Sequence, residues 1–376
     1  MKLCVVAGEA SGDLHASQVI RELKLIDPSL QVFGIGGDLL AAEGVEVMHH
    51  AREMAVVGLI EVLRQLPMFR RVFAGMVDRI KLEKPAAILL VDYPDFNLRL
   101  AKQCRAMGVK VIYFISPQVW AWRRRRIFEI ARVVDQMIVI FPFEEQLYRS
   151  HGVPVTYVGH PLVEQLEPMR QTPRAPVEPF RIALLPGSRR SEIRSLLPPM
   201  LDAVVRIRAQ RSIDPFIVLA PTLERVEAEN ILRAHGSEVR IVDSDQRNEL
   251  AGADLSISSS GTATLESAVL GIPVVVVYKL NFITHAIGRR LVKLRHFSLV
   301  NIVAGKEIVP ELLQEDVNGE RIAIEALRLL DPAVHVKVRA ELDIIRRRLG
   351  ERGASRRAAE VIARFAGRNS SGTAAQ

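Results

Sequence analysis

Cysteine is nearly absent: the 376 residues include only Cys4 and Cys104, each inside an apolar stretch. That excludes a disulfide framework or a thiolate metal cluster and fits two reduced core thiols in a cytosolic protein. Aromatic residues are scarce at 5%. None interleave with Lys and Arg as stacking on single-stranded nucleic acid requires, so nucleic acid ranks last among partners. Long hydrophobic runs are missing too. The longest, Ala268 to Tyr278, is punctuated by Gly271-Ile272-Pro273 and falls well short of the roughly 18 apolar residues of a membrane span. The apolar run after Met1 is too short for a signal peptide. The 9 histidines show neither HExxH nor paired-ligand spacing, so no metal and no cofactor is expected, and His160 is the one placed to attract attention.

What is present is an ordinary globular balance, 49% hydrophobic and 25% charged, with 51 Lys+Arg against 43 Asp+Glu and a net charge of +8. Such a charge favours an anionic partner without choosing among phosphorylated metabolites, nucleic acid and membrane surface. Short apolar runs alternate with helix-period segments. The runs are Leu3 to Ala7, Val32 to Ile35, Ala87 to Val91, Val109 to Ile115, Val134 to Ile140 and Val155 to Val158. Arg181 to Leu185, Phe216 to Leu219, Val239 to Val242, Leu255 to Ser258 and Pro273 to Val277 follow. They are continuously apolar, as strands buried on both faces are, which predicts an α/β fold with parallel, doubly wound sheets.

Eleven strands are too many for one compact sheet, and the proline-dense stretch His160 to Pro179 reads as the linker between two Rossmann-like domains facing a central cleft. The expected division is 1–160, 161–345, a C-terminal helix 346–368 packing back across the linker, and a disordered tail 369–376. Ligands of this architecture bind beyond the carboxyl ends of the strands, so residues just after strands carry the information.

After the first strand comes Gly8-Glu9-Ala10-Ser11-Gly12-Asp13, a small-residue turn into a helix expected near Leu14. It is neither GxGxxG nor a P-loop. Asp13 is as well explained as a helix N-cap as by a functional role, and Glu9 is harder to explain as a cap. After Val91, Asp92 stands at a strand end as the candidate general base, with Asp95 placed to cap a helix beginning near Asn97. Ser116 to Trp122 precedes the basic run Arg123 to Arg126, which reads either as a solvated helix face or as a membrane-headgroup contact. In the second half, Leu185-Pro186-Gly187-Ser188-Arg189 and Ser258 to Glu266 are again strand, small-residue loop and helix. Arg189 suits a diphosphate, the N–H groups at Ser260, Gly261 and Thr262 suit phosphate, and Glu266 suits a ribose diol. Two such turns suggest a nucleotide-sugar diphosphate held without a metal. The segment Val56 to Ile80 is rich in Val, Leu, Met and Phe with Arg64, Arg70, Arg71 and Arg79 among them, which fits either an amphipathic core helix pair or a membrane-facing surface.

The ordered set AGEASGDLH, GIGGDLLAAEGVE, VDYPDFN, SPQVWAWRRRRI, FPFE, GHPL, LLPGSR, SSGTATLES and LVNIVAGKEIVPELLQ resembles the lipid-A-disaccharide synthases over roughly Leu3 to Gln314. The resemblance implies an inverting glycosyltransferase of the B architecture (GT-B). It would join UDP-2,3-diacylglucosamine to 2,3-diacylglucosamine 1-phosphate in the cytoplasm, peripherally on the inner face of the inner membrane, with a homodimer left open. It places Glu9, Ser11, Asp13, Asp92 and Asp95 on the acceptor side, and Arg189, Ser260, Gly261, Thr262, Glu266 and Asn301 on the donor side, with Gly12 a further substrate-binding candidate. With diacylated substrates in view, the membrane-facing reading of Val56 to Ile80 is preferred. The rivals are another UDP-sugar enzyme of this architecture, such as the lipid II glycosyltransferase or a UDP-N-acetylglucosamine epimerase, and a non-catalytic module binding UDP-sugars or anionic membranes.

Overall fold

A computed structural model describes residues 1–54, 59–121, 124–172, 174–279 and 296–367, without the side chains of 59–65. Val56, Arg64, Trp122, Arg123, the segment His285 to Arg295 and the tail 369–376 lie outside that description. The described chain divides into two compact units, Met1–Pro161 with the described part of Glu351–Gln376, and Leu162–Gly350.

The first unit carries a 7-stranded parallel sheet in the order β3-β2-β1-β4-β5-β6-β7. Its strands are β1 (Lys2–Ala7), β2 (Gln31–Gly36), β3 (Glu46–His50), β4 (Ala87–Val91), β5 (Lys110–Phe114), β6 (Gln136–Val139) and β7 (Val155–Tyr157). The second carries a 6-stranded parallel sheet in the order β10-β9-β8-β11-β12-β13. Here β8 is Phe180–Leu185, β9 Ile213–Val218, β10 Arg240–Val242, β11 Leu255–Ser259, β12 Val274–Tyr278 and β13 Glu311–Leu313. Central strands such as β4 are buried along their whole length, because helices cover both faces of a doubly wound sheet. Two strands escape the sequence reading, β3 and β13, and both are edges. An edge strand needs only one apolar neighbour. Glu46-Val47-Met48-His49-His50, half-buried after its exposed first residue, and the three residues of β13 therefore carry no continuous apolar run. Helices are thus not the only elements after β12.

The segment 346–368, read from sequence as one C-terminal helix, belongs to two. Pro332–Arg348 ends in the second unit, and a separate helix, Ala354–Gly367, packs on Ala10–Ile26 in the first. Its Ala354, Ala358, Ala359 and Ala366 are buried, and small side chains let two helix backbones approach closely. Arg357 Nε donates to the Val158 carbonyl at 2.8 Å, and Lys110 Nζ donates to the Phe365 carbonyl at 3.0 Å.

The membrane-facing reading of Val56 to Ile80 needs correction where side chains are described. The helix Leu59–Glu83, with Pro67 inside it, turns Val72, Met76 and Ile80 into the core, and Met68, Phe69 and Phe73 pack half-buried against the same core. Arg79 is engaged by Glu46 and Glu83 and lies over the Phe33 ring, so it forms no basic rim. Replacing Met68, Phe69 and Phe73 together by Ser is expected to cost about 3 kcal/mol or more of stability through lost packing and buried hydroxyls. Thermal unfolding checks this, and an unchanged Tm would return these side chains to a free surface.

Candidate active site

Each sheet reverses its strand order at one place, between β1 and β4 in the first unit and between β8 and β11 in the second. At such a switch point the loops after the two strands diverge and leave a crevice. The residues singled out from sequence gather at these two places, with one exception.

In the first unit, β1 leads through Gly8 and Glu9 into the helix Ala10–Ile26. The helix starts earlier than Leu14, so Ser11, Gly12 and Asp13 lie in its first turn. Glu9 is the exposed N-cap residue but makes no side-chain cap. Asp13 does not cap this helix. Its buried carboxylate accepts the backbone N–H groups of Gly37, Leu39 and Leu40 at 2.7, 3.1 and 3.2 Å, fastening the loop after β2. A Cβ at position 37 would stand 2.5 Å from Asp13 Oδ2, which dictates glycine there. With three N–H groups on it, Asp13 is a structural carboxylate.

Asp92 follows β4 with a left-handed backbone, φ 45°, and Tyr93 repeats it at φ 48°. Such a conformation costs an L-residue roughly 1–2 kcal/mol, least for Asp and Asn. Burial raises the Asp92 carboxyl from its usual range to about 6, the Glu9 charge adds to the rise, and the Tyr93 N–H opposes it. A half-buried carboxyl titrating there is suited to accept a proton near neutral pH. The Tyr93 ring packs beneath Gly8, where a Cβ would approach it to 2.6 Å, and its hydroxyl donates to the Met54 carbonyl at 3.0 Å. The helix after Asp92 begins at Pro94, not Asn97, so Asp95 sits exposed in its first turn and pairs with Arg126 instead of capping.

In the second unit a cleft of about 820 Å³ opens over the carboxyl ends of β8 and β11. Arg189, Ser260, Gly261, Thr262 and Glu266 all line it. The two turns are not equivalent. Glu192 Oε2 accepts the N–H groups of Ser188 and Arg189 at 2.9 and 3.3 Å, so the backbone of that turn is already satisfied. The Arg189 side chain, exposed and paired with Glu192 at 3.1 Å, remains for an incoming anion. Across the cleft, the helix Thr262–Leu270 has Gly261 at its N-cap with no side-chain cap, which leaves a dipole end facing the cleft. Ser260 is anchored by its hydroxyl to the Phe297 carbonyl at 3.1 Å. Glu266 is raised by burial, against the pull of Arg247 at 3.4 Å. Arg247, Asp243 and Gln246 also line the cleft and were missed in the sequence, where they look like ordinary loop polarity.

Asn301 is the exception. It is fully buried, donates to the Val309 carbonyl and Glu311 Oε1, both at 2.9 Å, and accepts from the Ile308 and Val309 N–H groups at 2.7 and 3.1 Å. Its amide holds the 308–311 turn.

The family model described as lipid-A-disaccharide synthetase matches residues 3–365. The chain is 45% identical over 369 residues to the lipid-A-disaccharide synthase of Anaeromyxobacter dehalogenans, covering 96% of each. It is 42% identical over 375 residues to that of Geobacter sulfurreducens, covering 98% of each. The chain belongs to the lipid-A-disaccharide synthase family. As a member of that family it is a glycosyltransferase of lipid A biosynthesis. Solved structures share the fold at low identity. The UDP-GlcNAc 2-epimerase of Neisseria meningitidis has a TM-score of 0.66 at 14% identity, covering 97% of this chain and 100% of that one. MurG of Acinetobacter baumannii has 0.61 at 14%, covering 96% and 99%.

Two buried groups of this lipid-A-disaccharide synthase family member have other work. Glu144, from the FPFE motif, is driven up to about 8 by burial, accepts the Phe141 N–H at 3.2 Å and the Trp120 indole N–H at 3.3 Å, and so ties the 116–120 loop to the helix Pro142–Arg149. His160 is pushed down to about 3 by burial and then by His15, and packs on the Phe141 ring at 5.0 Å, so it stays neutral and serves as a core residue. Among the described residues no three His, Cys, Asp or Glu side chains come together as metal ligands, and no helix is long and apolar enough to cross a membrane.

Proposed function

We propose that the chain transfers 2,3-diacylglucosamine from UDP-2,3-diacylglucosamine to 2,3-diacylglucosamine 1-phosphate, forming the β-1,6-linked disaccharide 1-phosphate and UDP. The observation that carries the residue-level reading is Asp92, a half-buried carboxyl raised to about 6 at the switch point of its sheet. In a single displacement, Asp92 takes the proton of the acceptor 6-hydroxyl as that oxygen bonds to the anomeric carbon. The bond from that carbon to the diphosphate breaks with inversion. The charge left on UDP is met by the uncapped N-terminus at Thr262 and by the Arg189 guanidinium, while Glu266 accepts from the ribose diol. Glu9 and Ser11, exposed at the start of the helix Ala10–Ile26, are available to acceptor hydroxyls.

UDP release measured from UDP-2,3-diacylglucosamine, with and without 2,3-diacylglucosamine 1-phosphate, tests the reaction. Release that needs the acceptor supports transfer. Release without it, or turnover of UDP-N-acetylglucosamine in its place, supports a rival UDP-sugar enzyme. The donor assignment has its own check by calorimetry with UDP. Arg189→Ala and Glu266→Ala should each weaken binding by about 10-fold or more, since hydrogen bonds to charged groups contribute roughly 1.5–3 kcal/mol. Unaltered affinity in both moves the nucleotide elsewhere.

We further propose peripheral contact with an anionic membrane, because the substrates carry acyl chains. Leu66, Arg70 and Arg71, exposed on the helix Leu59–Glu83, are among the described side chains available to it. Such contact adds salt-sensitive attraction to apolar insertion.

A further inference from the structure

We infer that Tyr113 and Asn97 are positioning residues for Asp92, clamping its carbonyl and thereby aiming its carboxyl. The inference deepens the proposed role of Asp92 as base and rests on it. The direction of a side chain leaving the backbone is set by the two torsions at its own Cα. At Asp92 both sides of that Cα are tied. Its N–H donates to the Phe114 carbonyl at 3.1 Å, and its own carbonyl accepts from the Tyr113 hydroxyl at 2.5 Å and from Asn97 Nδ2 at 2.7 Å. The donors come from two elements, β5 and the helix Pro94–Ala106, so the carbonyl is fixed against both. This is what a left-handed non-glycine residue needs, since a strained backbone persists only when its surroundings over-determine it.

Two further observations separate this arrangement from ordinary packing. Both donors are fully buried, so water does not compete for the carbonyl. Phenylalanine would fill the Tyr113 site equally well in the apolar interior of β5, and the hydroxyl is distinguished by its bond to Asp92. Asn97 stands here although its buried Oδ1 has no hydrogen-bond partner among the described residues, while its Nδ2 serves the carbonyls of Val91, at 3.3 Å, and Asp92. A buried orphan acceptor is unfavourable, and an apolar residue would avoid it. The amide's donors must therefore do something that outweighs the orphan, and both reach the backbone that carries Asp92.

The test is Tyr113→Phe in the full-length enzyme. The expected result is a kcat lowered by about 10- to 100-fold, the loss that a displacement near 1 Å brings, with KM for the UDP-sugar within about twofold. The acid limb of the pH profile should also move away from its wild-type position, because the carboxyl leaves a seat shared with Glu9 and Tyr93. A purely structural hydroxyl would lower Tm and leave that limb in place. Should Tyr113→Phe fold poorly, Asn97→Ala takes its place, since it removes the donors and the orphan acceptor together. Each change is then combined with Asp92→Asn and is expected to cause no further loss of the residual turnover. Near-normal kcat with an unmoved limb in both variants, or the same loss repeated on the Asp92→Asn background, overturns the positioning role. Near-normal turnover of Asp92→Asn alone instead overturns the base on which it rests.

Discussion

Asp92→Asn should lower kcat by roughly two to four orders of magnitude with little change in UDP affinity, as loss of a general base does. Asparagine is the informative replacement. It keeps the shape of the side chain and tolerates the left-handed backbone at φ 45°, so strain does not confound the result. The variant should also melt higher than the wild type at neutral pH. With a folded pKa near 6 against the usual 3.8, the ionised Asp92 is disfavoured in the fold. Its stability contribution is full below the unfolded pKa and is lost as pH rises through 6. The penalty at pH 8 is on the order of 2–3 kcal/mol, and it vanishes toward pH 4. Activity lost while Tm rises at pH 8, with the two proteins converging in Tm near pH 4, is the signature of a carboxyl kept for chemistry. In the wild type, kcat should fall as pH drops through about 6, because only the carboxylate accepts the proton. Near-normal turnover in Asp92→Asn would move the base to Glu9 or Asp95, since Asp13 is occupied by three N–H groups.

Thr262→Glu should reduce UDP affinity by at least about 100-fold while leaving the fold as stable or slightly more so. Thr262 is the exposed first residue of a helix whose N-terminus has no side-chain cap and faces the cleft. A carboxylate in the first turn complements the helix dipole by a few tenths of a kcal/mol to about 1 kcal/mol. The same charge stands where the proposal seats the diphosphate, and repulsion between unit charges about 4 Å apart near a protein surface amounts to roughly 4 kcal/mol. Stability and binding therefore separate in one variant. Calorimetry with UDP beside a thermal melt reads both, and wild-type affinity in a well-folded protein would place the diphosphate away from this helix. The equivalent change at Ser188 should do less, because Glu192 already occupies the N–H groups of that turn.

The sequence by itself determined the doubly wound α/β class, because central parallel strands are buried on both faces and so read as continuous apolar runs. It also determined that Asp92, Arg189 and the Gly261 turn stand just beyond strand ends, since order along the chain sets which loops leave a parallel sheet at its carboxyl edge. The edge strands β3 and β13 left no such trace, half their surroundings being solvent or loop. Tertiary structure alone decided which polar groups were free. Asp13 is consumed by Gly37, Leu39 and Leu40, Asn301 by Val309 and Glu311, and the Ser188 turn by Glu192, whereas no described side chain caps the helix that begins at Thr262. The hydroxyl of Tyr113 looks in sequence like one more aromatic residue in a strand, and only the pairing of β4 with β5 brings it to the Asp92 carbonyl. Hydrophobic burial follows a period that local sequence displays. A hydrogen bond depends on where two distant atoms finally stand, and no local pattern encodes that.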